Sequence, residues 1–359
     1  MSTVGARAWV RSHREWVEQW FFLRKNAERG LAASRILIGS AMLGILLSNF
    51  TVRHALWGPA STWIEPFRDD TNFGRLPELF GDSQAWTFTL KYLLLMAIAV
   101  AVIVGWRTRM NTLLLVIGVT ALVERNTLVG DAGDNIARIG LLLMVFMSTA
   151  EYWSIDARRR RRAGAQAPPS LSRRLLLGLP VLPGWLTNAV HNLALMALAL
   201  QVFILYTASA LFKVQGEIWQ TGTALYYPLA SAEFSVFPTL NSLMASNAVI
   251  LTAATYFAVY VQLFFAVGLL HPLTRRLALV GVIAMHIGIA ILMGLPWFSL
   301  SMIAFDAIFV TTATFVALEA LLRRRFGPAL ARWRTRMPEA WRGAPEEVPA
   351  EPVAAQPAR

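Results

Sequence analysis

Asp131, Asp134, Asn135 and Arg138 follow one another at spacings of three, four and seven residues. On a helix that spacing puts all four on one face. They open an apolar segment at the end of a polar stretch, and an ionisable group inside a membrane is costly and a candidate site for that reason. Asp134 and Arg138, four residues apart, are placed to pair. Asp131 falls where a helix N-terminus favours negative charge. Two readings stay open: a capping and ion-pair network that ties a short helical hairpin together, or one wall of a polar pocket.

Lys213 closes the apolar run Ala208, Ser209, Ala210, Leu211, Phe212. A lysine there either snorkels to the headgroups or is held in an apolar pocket, where an amine can serve as a general base. Ser209 and Tyr206, four and seven residues earlier, share its face. His286 and Asp306 lie on adjacent apolar segments joined by the turn around Gly294, Leu295 and Pro296. Both fall roughly 10–14 Å from that turn, at equal depth for a buried pair. A structural contact between helices and a catalytic one are equally open. The other histidines, His13, His54, His191 and His271, are scattered and cysteine is absent, so no metal site is expected. Arg35, near the inner end of its segment, reads as a snorkelling side chain.

The elements that must position these groups are membrane helices. The chain is 56% hydrophobic and 15% charged, with a mean hydropathy of +0.50, well to the apolar side of a soluble domain. The fold class expected is all-α, a polytopic transmembrane bundle of about eight spans. They lie near 30–50, 86–105, 110–124, 135–152, 189–212, 247–270, 277–293 and 297–321. No cleavable signal peptide is evident, and the run from Gly30 reads as the first span. With both termini in the cytoplasm, every inner segment is rich in arginine, as the positive-inside rule requires. The net charge of +12 gathers at the ends of apolar stretches and not along a surface stripe, which excludes nucleic acid as a partner. The expected organisation is a cytoplasmic amphipathic segment over 1–29, a transmembrane domain over 30–325 with a cytoplasmic linker at about 153–188, and a basic, then disordered, tail over 326–359. The outer loop at 51–85, with Trp57, Trp63, Phe67 and Phe73, is expected to pack over the bundle. Nucleotide-binding loops and zinc-peptidase motifs are absent.

The stretch from Glu124, Arg125 and Asn126 to Gly130, Asp131, Ala132, Gly133, Asp134 and Asn135, with Arg138, resembles the bacterial horizontally transferred transmembrane (HTTM) domain family. So does Tyr206 to Tyr227, with Leu211, Phe212, Lys213, Val214, Gln215, Gly216, Trp219 and the run Gly222, Thr223, Ala224, Leu225, Tyr226, Tyr227. The likeness covers residues 20–325, and the family is similar to the membrane domain of vitamin K-dependent gamma-glutamyl carboxylase. The resemblance implies that Lys213 stands where the carboxylase has the lysine that deprotonates vitamin K hydroquinone. It places Asp134 and Asn135 where the carboxylase has an Asn-His pair, so the histidine is replaced and a carboxylate added. The interval from Lys213 to Trp219 is one residue longer than in the animal enzyme, and the carboxylase's long lumenal domain has no counterpart.

On this reading the catalytic candidates are Lys213, Asp134, Asn135, His286 and Asp306. Glu124, Arg125, Asp131, Arg138, Tyr206, Gln215 and Tyr226 are expected to line the pocket. The implied protein is a multi-pass cell-membrane enzyme of carboxylase-like type acting on a quinone or lipophilic substrate at the extracytoplasmic side. Two alternatives are an accessory factor for maturation or export of a secreted peptide, as some family members are linked to peptide toxins, and a transporter. Alanine- and arginine-rich usage fits a GC-rich bacterial genome.

Overall fold

Apolar runs of this length become helices because every backbone polar group must be satisfied within its own segment. The computed structural model describes residues 14–67, 73–81, 84–163, 174 and 182–336, and the regular elements among them are all helices, joined by turns, with no strand. The main helices are α1 (Glu28–Ser48), α2 (Ala85–Val104), α3 (Thr108–Arg125), α4 (Ala132–Phe146), α5 (Ile155–Ala163) and α6 (Gly184–Gln215). They continue as α7 (Pro238–Ser246), α8 (Ala248–Leu263), α9 (Pro272–Leu292), α10 (Pro296–Asp306) and α11 (Thr312–Arg336).

By length and composition, α1, α2, α6 and α9 can each cross a membrane, and bent pairs of shorter helices raise the number to six. Helix α4 has 15 residues, about 22 Å of rise, which is short of a bilayer core. The helix expected over 297–321 is interrupted, since α10 ends at Asp306 and a 3-10 turn, Ala307–Phe309, precedes α11. Gly30 of α1 meets this break so closely that a Cβ there would lie 2.6 Å from the Ala307 carbonyl oxygen. Helices α7 and α8 meet at 96°.

The chain forms two units, Met1–Thr312 and Ala313–Arg359. In the first, α1 is the central helix, packed against α10 and α2. Leu31, Ile38, Ala41, Met42 and Leu46 of α1 are buried in a core shared with Phe88, Tyr92 and Leu95 of α2, Leu115 and Leu122 of α3, and Phe305 of α10. In the second, α11 stays helical through Pro328 to Arg336. The remainder of the expected tail, from 337, lies outside the described residues, as do residues 1–13 and most of the linker between 164 and 181.

Arg35 departs from the expectation that it snorkels. Its side chain is fully buried. Nε donates to the Thr149 carbonyl, Nη1 to the Val102 and Ile103 carbonyls at 2.7 Å each, and Nη2 to the Tyr152 and Trp153 carbonyls. The C-terminal end of α2 presents carbonyls beyond the regular helical ladder, and one guanidinium gathers two of them, Val102 and Ile103, together with three from the 149–153 turn. Gly105 lets this happen, because it turns the chain at φ +70° and a Cβ there would lie 2.7 Å from Arg35 Nη1. Asp156 completes the knot by capping α3: it accepts from the Arg107 and Thr108 backbone N–H groups and from the Thr108 hydroxyl.

The start of α6 anchors the N-terminal segment. Asn192 Nδ2 donates to the Trp20, Phe21 and Arg24 carbonyls, and His191 bridges the Ser148 N–H and the Asn26 carbonyl. Trp16 and Leu23 are left exposed. In the 51–85 loop Trp57, Ile64 and Phe80 are buried, whereas the expected Trp63 and Phe73 are exposed and the Phe67 side chain lies outside those described.

Candidate functional site

The expected site residues fall into two centres. The first is built at the start of α4. Asp131 is the N-cap: its Oδ1 accepts from the Gly133 and Asp134 N–H groups at 2.6 and 3.1 Å. Asp134 answers by accepting the Asp131 N–H at 2.9 Å, which closes a capping box. Arg138 does not pair with Asp134 as its spacing suggested. It forms an ion pair with Glu124 of α3, and its other nitrogen reaches Asn135 Oδ1 at 3.5 Å. Asp134 already spends an oxygen on the Asp131 N–H at the helix N-terminus, whereas Glu124 on the neighbouring helix takes Arg138 without disturbing the cap. Asn135 is exposed.

Asp131 and Asp134 face a cavity of about 180 Å³ between α1, α3, the 53–57 turn and the start of α10. Met42, Ile45, Leu46, Val119, Leu122 and Val123 give it apolar walls, and Asn49, Trp57 and Asn126 add polar atoms. Asn126 is locked, with its Nδ2 on the Leu56 carbonyl at 2.7 Å and its Oδ1 on the Leu128 N–H. Arg125 Nε holds the Trp57 carbonyl at 2.5 Å. Trp57 itself is buried, and among the described residues its Nε1 has no hydrogen-bond partner. His54, one turn away, is shifted below its ordinary value by burial and then by Arg53.

The second centre joins α6, α8, α9 and α10. Tyr206, His286 and Asp306 are each 1% exposed. The Tyr206 hydroxyl donates to Asp306 Oδ2 at 2.8 Å and lies 3.1 Å from His286 Nε2. The expected His286–Asp306 pair is therefore bridged by the tyrosine. With the hydroxyl proton on Asp306, the hydroxyl oxygen is left to accept, so His286 Nε2 carries the ring proton. That leaves His286 Nδ1 and Asp306 Oδ1, both buried, without a partner among the described residues. Gly140 of α4 makes room for the adjacent Phe305, since a Cβ there would lie 2.1 Å from the ring.

Lys213 lies about two turns along α6 from Tyr206 on the same face. It is half-buried, donates to Gln262 Oε1, and sits 5.2 Å from the centre of the Trp219 ring. Ser209 donates to the same Gln262 oxygen at 3.3 Å. Among the described residues no carboxylate is within ion-pair distance of Lys213. Gln262 was not foreseen, although a lone amide in the apolar run 248–263 is a usable signal, and Trp57 and Phe298 were not assigned to the site either. Gln215 and Tyr226 stand outside both centres: Gln215 bonds its own helix at the Leu211 carbonyl, and Tyr226 is exposed against Tyr227.

No family model and no solved structure matches the chain. The comparison with curated proteins finds this helical, membrane-type chain similar to the sporulation-delaying protein SdpB of Bacillus subtilis (strain 168), 25% identical over 265 residues that cover 71% of this chain and 73% of that one.

Proposed function

We propose that the chain is a multi-pass membrane enzyme of carboxylase-like type in which Lys213 takes a proton from a lipid-soluble hydroquinone at the extracytoplasmic side. The observation that carries this reading is the pairing of Lys213 with a neutral amide, Gln262, and not with a carboxylate. A carboxylate would hold the ammonium proton in place, whereas an amide orients the nitrogen and leaves it free to exchange. The exposed Leu211 and Phe212, which directly precede Lys213, give a lipophilic substrate an apolar approach, and Trp219 offers a ring face beside the nitrogen. The hydroquinone is the substrate, and its hydroxyl proton moves to the Lys213 amine. The buried Tyr206–His286–Asp306 network holds the helices behind Lys213 in register, with two unpartnered acceptor atoms able to receive a proton. The resemblance to the carboxylase membrane domain supports the same assignment of Lys213.

The test is turnover of a lipid hydroquinone by purified protein in vesicles, with Lys213→Ala compared at equal folded yield. Loss of turnover supports the base, and normal turnover at normal yield removes it.

The second reading is a non-enzymatic factor for maturation or export of a secreted peptide. The similarity to a sporulation-delaying protein over most of both chains favours it. A peptide co-purifying with the chain, in place of a quinone, would select this reading.

A further inference from the structure

We infer that α5, together with Arg107, binds the phosphate of an anionic phospholipid headgroup. This rests on the membrane placement of the bundle and is independent of the chemistry at Lys213. On α5, Ile155, Arg158, Arg161 and Arg162 stand at positions i, i+3, i+6 and i+7, which gathers them on one side of the helix. All four are exposed, whereas Asp156 and Ala157, outside that side, are buried.

The helix is fixed to the bundle. The Asp156 N–H donates to the Gly105 carbonyl at 3.0 Å, and Asp156 Oδ1 accepts from the Arg107 N–H at 3.0 Å. Ser154 Oγ accepts from the Ala157 N–H at 2.9 Å, and Arg160 Nη2 holds the Ala150 carbonyl at 2.8 Å. These bonds bring Arg107 beside the first turn of α5. The basic side is therefore preset, and less freedom is lost when an anion binds.

The local carboxylates are already engaged. Asp156 caps α3 and lies 3.8 Å from Arg159, and Glu151 pairs with both Arg160 and Lys25. Among the described residues no carboxylate is within ion-pair distance of Arg107, Arg158, Arg161 or Arg162. Guanidinium forks match the oxygens of a phosphate. A second observation selects a lipid as its source. Trp106 and Trp153, on the turns that carry these arginines, are 42% and 38% exposed, and Arg107 lies 5.2 Å from the centre of the Trp106 ring. Tryptophans so placed sit at headgroup level, and the exposed Ile155 stands among the arginines. A free phosphate has no use for rings and an aliphatic side chain, whereas the glycerol and acyl ends of a lipid do. The inner leaflet that a basic end faces is the anionic one.

The test uses the full chain in detergent and measures the shift in melting temperature with increasing dioctanoyl phosphatidylglycerol, dioctanoyl phosphatidylcholine and glycerol 3-phosphate. We expect saturable stabilisation by phosphatidylglycerol at lower concentration than by phosphatidylcholine, and none by glycerol 3-phosphate. The triple variant Arg158→Gln, Arg161→Gln, Arg162→Gln leaves the Arg159 and Arg160 contacts in place and is expected to weaken binding of phosphatidylglycerol at least about tenfold. The control triple variant Arg323→Gln, Arg324→Gln, Arg325→Gln removes the same charge from exposed positions of α11 and is expected to keep wild-type binding. Arg107→Gln gives the same sign of effect, to a smaller degree, if the α5 triple variant fails to fold. Equal stabilisation by the two lipids, a response to glycerol 3-phosphate matching that of the lipid, an equal loss in both triple variants, or wild-type binding in the α5 and Arg107 variants that fold would overturn the assignment.

Discussion

Phe298 stands edge-on to His286, with ring centroids 5.9 Å apart, and also lines the acidic cavity. One aromatic side chain is therefore shared by the two centres. Residues expected to form one pocket are divided into a capped, acidic cavity and a buried hydroxyl-bridged network.

Replacing Phe298 with alanine joins the cavity to the space beside His286. The ring is half-buried, so the cost is expected at the low end for such a deletion, about 2–3 kcal/mol. A melting curve checks the loss. An unchanged melting temperature would show that the ring separates nothing.

Tyr206→Phe keeps the ring and removes the bridge. Asp306 Oδ2 and His286 Nε2 then lose their shared partner in a fully buried setting. Stranding two buried polar groups costs about 2–4 kcal/mol, and a decrease in unfolding midpoint reports it.

Arg35→Met removes the guanidinium from all five carbonyls it serves and is expected to reduce the yield of monodisperse protein severely, by about 3–5 kcal/mol of stability. Arg35→Lys does not restore it, because a single ammonium cannot span the two groups of carbonyls that the guanidinium fork reaches. Size-exclusion profiles of the two variants decide this.

A double-mutant cycle on Glu124→Gln and Arg138→Gln is expected to show coupling of about 1–2 kcal/mol, above the usual range for exposed pairs since both side chains are largely buried. The parallel cycle on Asp134→Asn and Arg138→Gln is expected to be additive within about 0.5 kcal/mol. The reverse pattern would restore the pairing that spacing alone suggested.

The helices were legible because long apolar runs in a membrane have few alternatives. The Asp131 cap was legible because capping is local. Partner choice was not, because it depends on contacts between distant segments. Nothing within residues 28–48 reveals that the 149–153 carbonyls converge on Arg35, since that requires the turns at Gly105 and Trp153, both at positive φ. Tyr206 meets Asp306 across 100 residues, and only the packing of α6 against α10 brings them together. The break after Asp306 carries no sequence signal, because Ala307 to Val310 is as apolar as a helix interior. Glu124 took Arg138 from Asp134 because the short turn after α3 folds α4 back beside it, a tertiary fact that i, i+4 spacing cannot show.

The role of Lys213 is tested most directly by chemical rescue. Lys213→Ala protein in vesicles is expected to turn over a lipid hydroquinone at least about 100-fold more slowly than wild type, and added ethylamine is expected to restore part of that rate in a saturable way. Wild-type turnover by the alanine variant at equal folded yield, with no response to the amine, would contradict the account.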